Sequence, residues 1–167
     1  PVARIADMLL NPGTSYRYNG QTRTYPDIRL VYWAGGNPFH HHQDLNRLRR
    51  AFRQVDTLVV HELAWTATAR HADIVLPCTM TLERADIGSS SNDPLLVPMH
   101  PVLPPVGEAR DDYAIFSDLA ERLGAREAFT EGRSVRQWLE HLYEPTRQAL
   151  AAMNLPAPSF EEFWNSD

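Results

Sequence analysis

The sequence predicts an α/β fold with a mostly parallel sheet, and three observations predict it. Short apolar runs recur at 28–34, 56–61 and 73–77, each of strand length. Stretches with helical spacing separate them, so strand and helix alternate as β-α-β-α-β, the rhythm of parallel strands joined by crossovers. The first run ends abruptly in Gly35-Gly36-Asn37-Pro38, and Asp44 then opens an amphipathic segment. Strand, glycine turn and helix start, in that order, are how α/β folds build an anion or nucleotide seat at the C-terminal end of a strand.

Each element follows from local chemistry. Residues 2–10 carry apolar side chains at 2, 5, 6, 9 and 10, which is helical spacing, and Asn11-Pro12-Gly13 stops the helix. Asn19-Gly20 between β-formers signals a small hairpin over 16–25. The strand over 28–34 leads through the glycine turn into a polar His-rich loop. Asp44 then caps a helix whose apolar face is Leu45, Leu48 and Phe52. The second strand ends in His61-Glu62, a short helix capped by Thr66 covers 65–72, and Pro77 ends the third strand. Glu83-Arg84-Ala85-Asp86 is a charge cluster, residues 89–94 read as a loop, and the proline-rich 95–106 is extended, at best an edge strand. Asp111 or Asp112 caps a helix with Tyr113, Ile115, Phe116, Leu119 and Leu123 on one face and Gly124 after its end. A further helix over 134–152 buries Val135, Trp138, Leu139 and Leu142, with Pro145 a site for a bend or break. The tail 154–167 shows Phe160, Phe163 and Trp164, an apolar surface that must dock on this domain or on another. Together these predict a three-layer, Rossmann-like α/β domain over 1–167. It has a small N-terminal hairpin, core motifs over 28–124 and a helical part over 125–167.

Composition excludes several functions. A formal charge of -5 gives no footprint for nucleic acid, and no apolar run approaches the ~18 residues of a membrane helix. Every one of the 16 basic residues is arginine, so no lysine is present for Schiff-base or nucleophilic chemistry. Cys78 stands alone, which excludes an internal disulfide and a cysteine zinc cluster. The chain starts at Pro1 without a Met or a basic-then-apolar leader, which also fits a segment cut from a longer polypeptide. The expected compartment is cytoplasmic, or periplasmic where a leader lies upstream.

His40-His41-His42, His61 and His71 suggest metal binding, but consecutive residues rarely converge on one ion and HExxH spacing is absent, so no metal ligand is assigned. No Ser or Cys sits in a nucleophile elbow. Four arginines, Arg47, Arg49, Arg50 and Arg53, read as a solvated or domain-contacting face rather than a phosphate site. Glu62 ends the second strand, where doubly wound folds place a ribose-binding carboxylate, although a plain surface charge there is common. The ends of parallel strands share one side of a sheet. Asn37, His41, His61, Glu62 and Arg84 are therefore candidates for one crevice suited to a ligand with sugar hydroxyls and phosphates.

YWAGGNPFHHHQDLNRL, VVHELAWTATARHADIVLP, TLERADIG and PVGEARDDYAIF, in this order, resemble the dimethyl-sulfoxide reductase family of molybdopterin oxidoreductases, nearest its biotin sulfoxide, methionine sulfoxide and trimethylamine-N-oxide reductase branch. The motifs span 28–116, and the flanks match only in general character. The resemblance implies a much longer enzyme. Two molybdopterin guanine dinucleotides (bis-MGD) hold its molybdenum with a serine from another domain, and two α/β domains each seat one dinucleotide. This chain is then one such domain, with no catalytic or metal-ligating residue of its own. By motif, Asn37 and His41 contact the pterin and phosphate portion, and His61-Glu62 the guanosine, with Glu62 where many relatives carry Asp. Arg84 binds phosphate or pterin, and Asp112 accepts from the guanine edge, chosen over Asp111 only because it directly precedes the aromatic residue.

The implied activity is removal of oxygen from small S-oxides or N-oxides, with partners among the remaining domains of the same enzyme. The segment alone is expected to be inactive and empty of cofactor. The alternative is a stand-alone α/β nucleotide-binding or assembly module without catalysis.

Overall fold

Backbone chemistry fixes the N-terminal elements in the computed structural model, which describes residues 2–166. A 3-10 turn, Val2–Arg4, runs into α1 (Ile5–Leu10). Strands β1 (Ser15–Tyr18) and β2 (Gln21–Thr24) form an antiparallel hairpin. Asn19 and Gly20 at its turn both have positive φ, 47° and 74°. The tightest hairpin turn needs that at both central positions, and Asn-Gly supplies it at least cost.

The three apolar runs become β3 (Leu30–Ala34), β4 (Thr57–Glu62) and β5 (Ile74–Pro77), all parallel and in sequential order. The register sets Ala34 beside His61 and Glu62 beside Pro77, so the three strands end together. Between β3 and β4 lie α2 (Pro38–His41) and α3 (Leu45–Phe52). The expected His-rich loop is thus partly a helical turn, started by Pro38, whose fixed φ suits the first helical position. Asp44 caps α3 as expected, accepting a hydrogen bond from the Arg47 amide at 3.0 Å. Residues 65–72, expected as a short helix, form only a 3-10 turn, Ala69–His71.

Alternation along the strands sends Leu58 and Val60 to one face. There they pack with Leu9 of α1, Phe39 of α2 and Leu48, Ala51 and Phe52 of α3. Leu45 stays exposed, because Ala51 takes its place in the buried arc. Arg47, on the flank of α3, pairs with Asp7 of α1. These elements belong to one compact unit, Pro1–Cys78.

A second unit, Thr79–Asp167, begins with a 3-10 turn and the antiparallel pair β6 (Asp86–Ser90) and β7 (Asp93–Met99). This corrects the expected loop over 89–94. The prolines that suggested irregular chain are tolerated because each strand has only one neighbour, leaving an open edge for a missing N–H. Helices α4 (Asp112–Arg122), α5 (Arg126–Thr130), α6 (Val135–Ala152) and α7 (Phe160–Trp164) follow. Pro145 does not break α6: it and His141, four residues earlier, are both exposed, so water can take the orphaned carbonyl.

The apolar tail docks inside its own unit. Phe160, Phe163 and Trp164 are buried with Leu139 and Tyr143 of α6, beside Ile87 and Leu96 of the hairpin. Tyr143 and Phe163 stack at 4.5 Å. Leu142, expected to be buried, and Leu123, expected on the apolar face of its helix, are exposed, because α6 buries Tyr143 and α4 buries Ser117 and Ala120 instead.

Two outcomes follow from α6. Leu139→Ala should cost about 2–5 kcal/mol in urea unfolding, and the neighbouring Leu142→Ala within about 0.5 kcal/mol. Glu144 is held by both arms of Arg147, each at 2.7 Å, and by Gln148. Its pKa falls from the ordinary 4.5 to about 2. A folded pKa below the unfolded one stabilises above the ordinary value and loses that stabilisation as pH falls towards the folded value. Unfolding midpoints of Glu144→Gln should therefore decline less than those of the parent between pH 4.5 and pH 2.

Candidate functional site

The C-terminal ends of β3 and β4 bring Asn37, His41, His61 and Glu62 to one edge of the first unit. Gly35 and Gly36 make the turn there, with φ of 84° and 80°. A Cβ on Gly35 would meet nothing within 4 Å, and one on Gly36 only ordinary contacts. Conformation, not space, demands glycine at both, and the backbone over Gly35 stays open to an approaching group. The Trp33 indole N–H donates to the Gly35 carbonyl at 2.7 Å and pins the turn to its strand.

Asn37 stands at the cap position of α2, yet its side chain does not cap. Its Oδ1 accepts from the hydroxyl of Thr68, which has no exposed surface and also receives the Phe39 amide at 3.4 Å. The loop after β4 thereby fixes the loop after β3. The acceptor side of the Asn37 amide is engaged, and its two N–H donors make no hydrogen bond with the described residues.

Glu62 is half-buried, and its Oε1 accepts from the Thr66 hydroxyl at 2.6 Å. Thr66 Oγ1 in turn accepts from the Ala69 amide at 3.2 Å, so the predicted cap exists and also aims the carboxylate. His61 lies differently. It is 3% exposed, with Nε2 2.6 Å from the Tyr32 hydroxyl, so its ring sits within the sheet face rather than at the rim. His41 is exposed at the end of α2. His42 packs edge-on against Trp33, and partial burial, helped by His41, lowers its pKa. Among the described residues no three His, Cys, Asp or Glu form a group that could hold a metal ion.

Arg84 and Asp112 come together in the second unit, where both line a cavity of about 820 Å³. Arg84 donates to Asp86 at 3.2 Å and to the Thr79 carbonyl at 2.9 Å. Asp111 is the cap of α4, accepting from the Ala114 amide at 2.8 Å, which leaves Asp112 as the exposed first helical residue. Tyr113, Phe129 and Trp138 supply an aromatic wall, with the Trp138 indole donating to the Tyr113 hydroxyl at 3.2 Å. The cavity is also lined by Thr79, whose buried hydroxyl has no hydrogen-bond partner, the one such side-chain atom found among the described residues. Sequence reasoning missed Thr68 and Thr79. Two threonines, Thr66 and Thr68, just past a strand end were the available signal for the first; nothing local marked the second.

The molybdopterin oxidoreductase family model matches residues 8–122. A dimethyl sulfoxide/trimethylamine N-oxide reductase of Cereibacter sphaeroides is 52% identical over 99% of this chain and 20% of its own length. A biotin sulfoxide reductase of the same organism is 51% identical, over 98% of this chain and 22% of its own. A trimethylamine-N-oxide reductase of Haemophilus influenzae is 49% identical, over 98% and 20%. The chain thus spans about a fifth of the length of the curated relatives it matches. Among solved structures, acetylene hydratase from Pelobacter acetylenicus aligns with a TM-score of 0.54 at 28% identity, covering 62% of this chain and 14% of that one.

Thr68→Val keeps the volume and removes the hydroxyl, leaving Asn37 Oδ1 and the Phe39 amide unmatched. Urea unfolding should show a loss of about 1–3 kcal/mol.

Proposed function

Because this chain belongs to the molybdopterin oxidoreductase family, we propose that it is a cofactor-seating segment of a molybdenum-dependent enzyme that removes oxygen from S-oxides or N-oxides. The observation that carries the proposal is identity near 50% along almost the whole chain to reductases of that chemistry. Family membership implies a molybdopterin cofactor, and we propose the guanine dinucleotide form.

The residues present fit such a group. A dinucleotide offers phosphate and pterin oxygens that need donors, and ribose hydroxyls and a guanine edge that need acceptors. Asn37 has two donors to give, held in place by Thr68. Glu62 has an acceptor oriented by Thr66. In the second unit Arg84 supplies charge-assisted donors, Asp112 an exposed carboxylate, and Thr79 a buried hydroxyl in want of a partner.

When bound, the molybdenum centre supplies the two-electron removal of oxygen. What this chain supplies is placement. Asn37 and His41 hold the pterin and phosphate portion. Glu62 meets the guanosine, and His61 supports that contact from inside the sheet through Tyr32. Arg84 binds phosphate or pterin oxygen, and Asp112 accepts from the guanine edge. None of these side chains breaks a substrate bond. A segment lacking the other domains lacks their preorganisation, so it is inactive by itself and retains cofactor weakly.

In the full-length polypeptide, Asn37→Ala or Arg84→Ala should lower molybdenum content and turnover together, by roughly tenfold for a lost charged or paired contact. Metal analysis beside a sulfoxide-reduction assay checks this; unchanged molybdenum in both variants would sink the assignment.

A further inference from the structure

We propose that Trp65 is the platform on which the purine base of the bound dinucleotide stacks. The inference rests on the cofactor-seat reading of the first unit and adds to it a residue that sequence and motif left unassigned.

Tryptophan carries the largest apolar surface of any side chain, and leaving it in water is costly. Trp65 is nevertheless 70% exposed, and Leu63 beside it 61%. Single exposed apolar residues are ordinary on protein surfaces. Three features set this one apart.

The loop that carries it begins directly after Glu62, at the C-terminal end of β4, where ligands of parallel sheets bind. The loop is also held firmly. Arg70 Nε donates to the Trp65 carbonyl at 3.2 Å, and the Thr66 amide to the Ala64 carbonyl at 2.8 Å. The Thr66 hydroxyl bridges Glu62 and the Ala69 amide. The indole is therefore presented to the outside by a backbone held at Ala64, Trp65 and Thr66, and the ordering cost of the loop on binding is reduced.

The third feature is chemical. Glu62, three residues earlier, accepts hydrogen bonds, and a ribose hydroxyl is its expected donor. A base joined to that ribose lies one sugar away and needs a flat apolar surface for its face. An indole provides that for any base, because stacking uses the π-face and not the hydrogen-bonding edge. Trp65 then contributes affinity, while reading of the guanine edge falls to an acceptor elsewhere.

The test uses the full-length polypeptide loaded with cofactor and compares Trp65→Phe, Trp65→Leu and Trp65→Ala with Asn37→Ala and Arg84→Ala. GMP released by acid hydrolysis and the rate of molybdenum loss after dilution are measured, with a thermal melt of each variant. Stacking predicts that Trp65→Phe loses cofactor within about threefold of the parent rate. Trp65→Leu, which fills space but has no π-face, should lose it roughly 10- to 100-fold faster, as base–aromatic contacts do when removed. Trp65→Leu retaining cofactor like the parent would overturn the proposal and leave Trp65 as a surface covered by another domain. That result with molybdenum lost from Asn37→Ala removes Trp65 alone; with Asn37→Ala and Arg84→Ala also unaffected, the seat itself is removed.

Discussion

A single buried hydroxyl organises the candidate site. Thr68, without exposed surface, ties Asn37 after β3 to the chain after β4 and holds the Phe39 amide as well. Gly35 and Gly36 take the left-handed path of the turn, and Thr68 holds the chain just beyond it. The parallel register supplies the rest: with Ala34 beside His61, the two strand-end loops emerge side by side and a threonine in one can reach an asparagine in the other. Placement of the Asn37 donors depends on that register.

The same logic separates residues that present groups from residues that support them. Asn37 and Glu62 each have one polar atom anchored by a threonine, which orients the remainder. His61 is committed to Tyr32 inside the sheet. Thr79 is the reverse case, a buried hydroxyl without a partner beside Arg84. Buried polar atoms are rarely left so, and a ligand group completing Thr79 is consistent with the proposed role of that cavity.

Much of the fold was legible because it depends on local chemistry. Asn19-Gly20 demands a primed turn, Asp44 caps α3, and each apolar run is long enough for one strand. What stayed hidden depends on distant partners. Periodicity marks an apolar arc on α6 but not which part faces the core, so Leu142 was misplaced and Tyr143 overlooked. Prolines masked β7, since a two-stranded ribbon tolerates what a central strand would not, and the serine- and asparagine-rich stretch over 89–92 masked the end of β6. Docking of Phe160, Phe163 and Trp164 was foreseen only as a need for some surface. For the proposed site, strand ends and motif likeness led to the C-terminal edge of β3 and β4, yet strict alternation with Val60 already implied that His61 points away from the core cluster and towards Tyr32's side. The Thr68–Asn37 contact spans 31 residues, and no local pattern announces it.

These strand ends are proposed to seat a molybdopterin dinucleotide. Hydrogen–deuterium exchange of the full-length polypeptide, with and without cofactor, tests it most directly. Cofactor should slow exchange at the amides of residues 35–39 and 62–69 by well over tenfold, while the β1–β2 hairpin remains unchanged. Equal exchange in both states across the two loops would contradict the account.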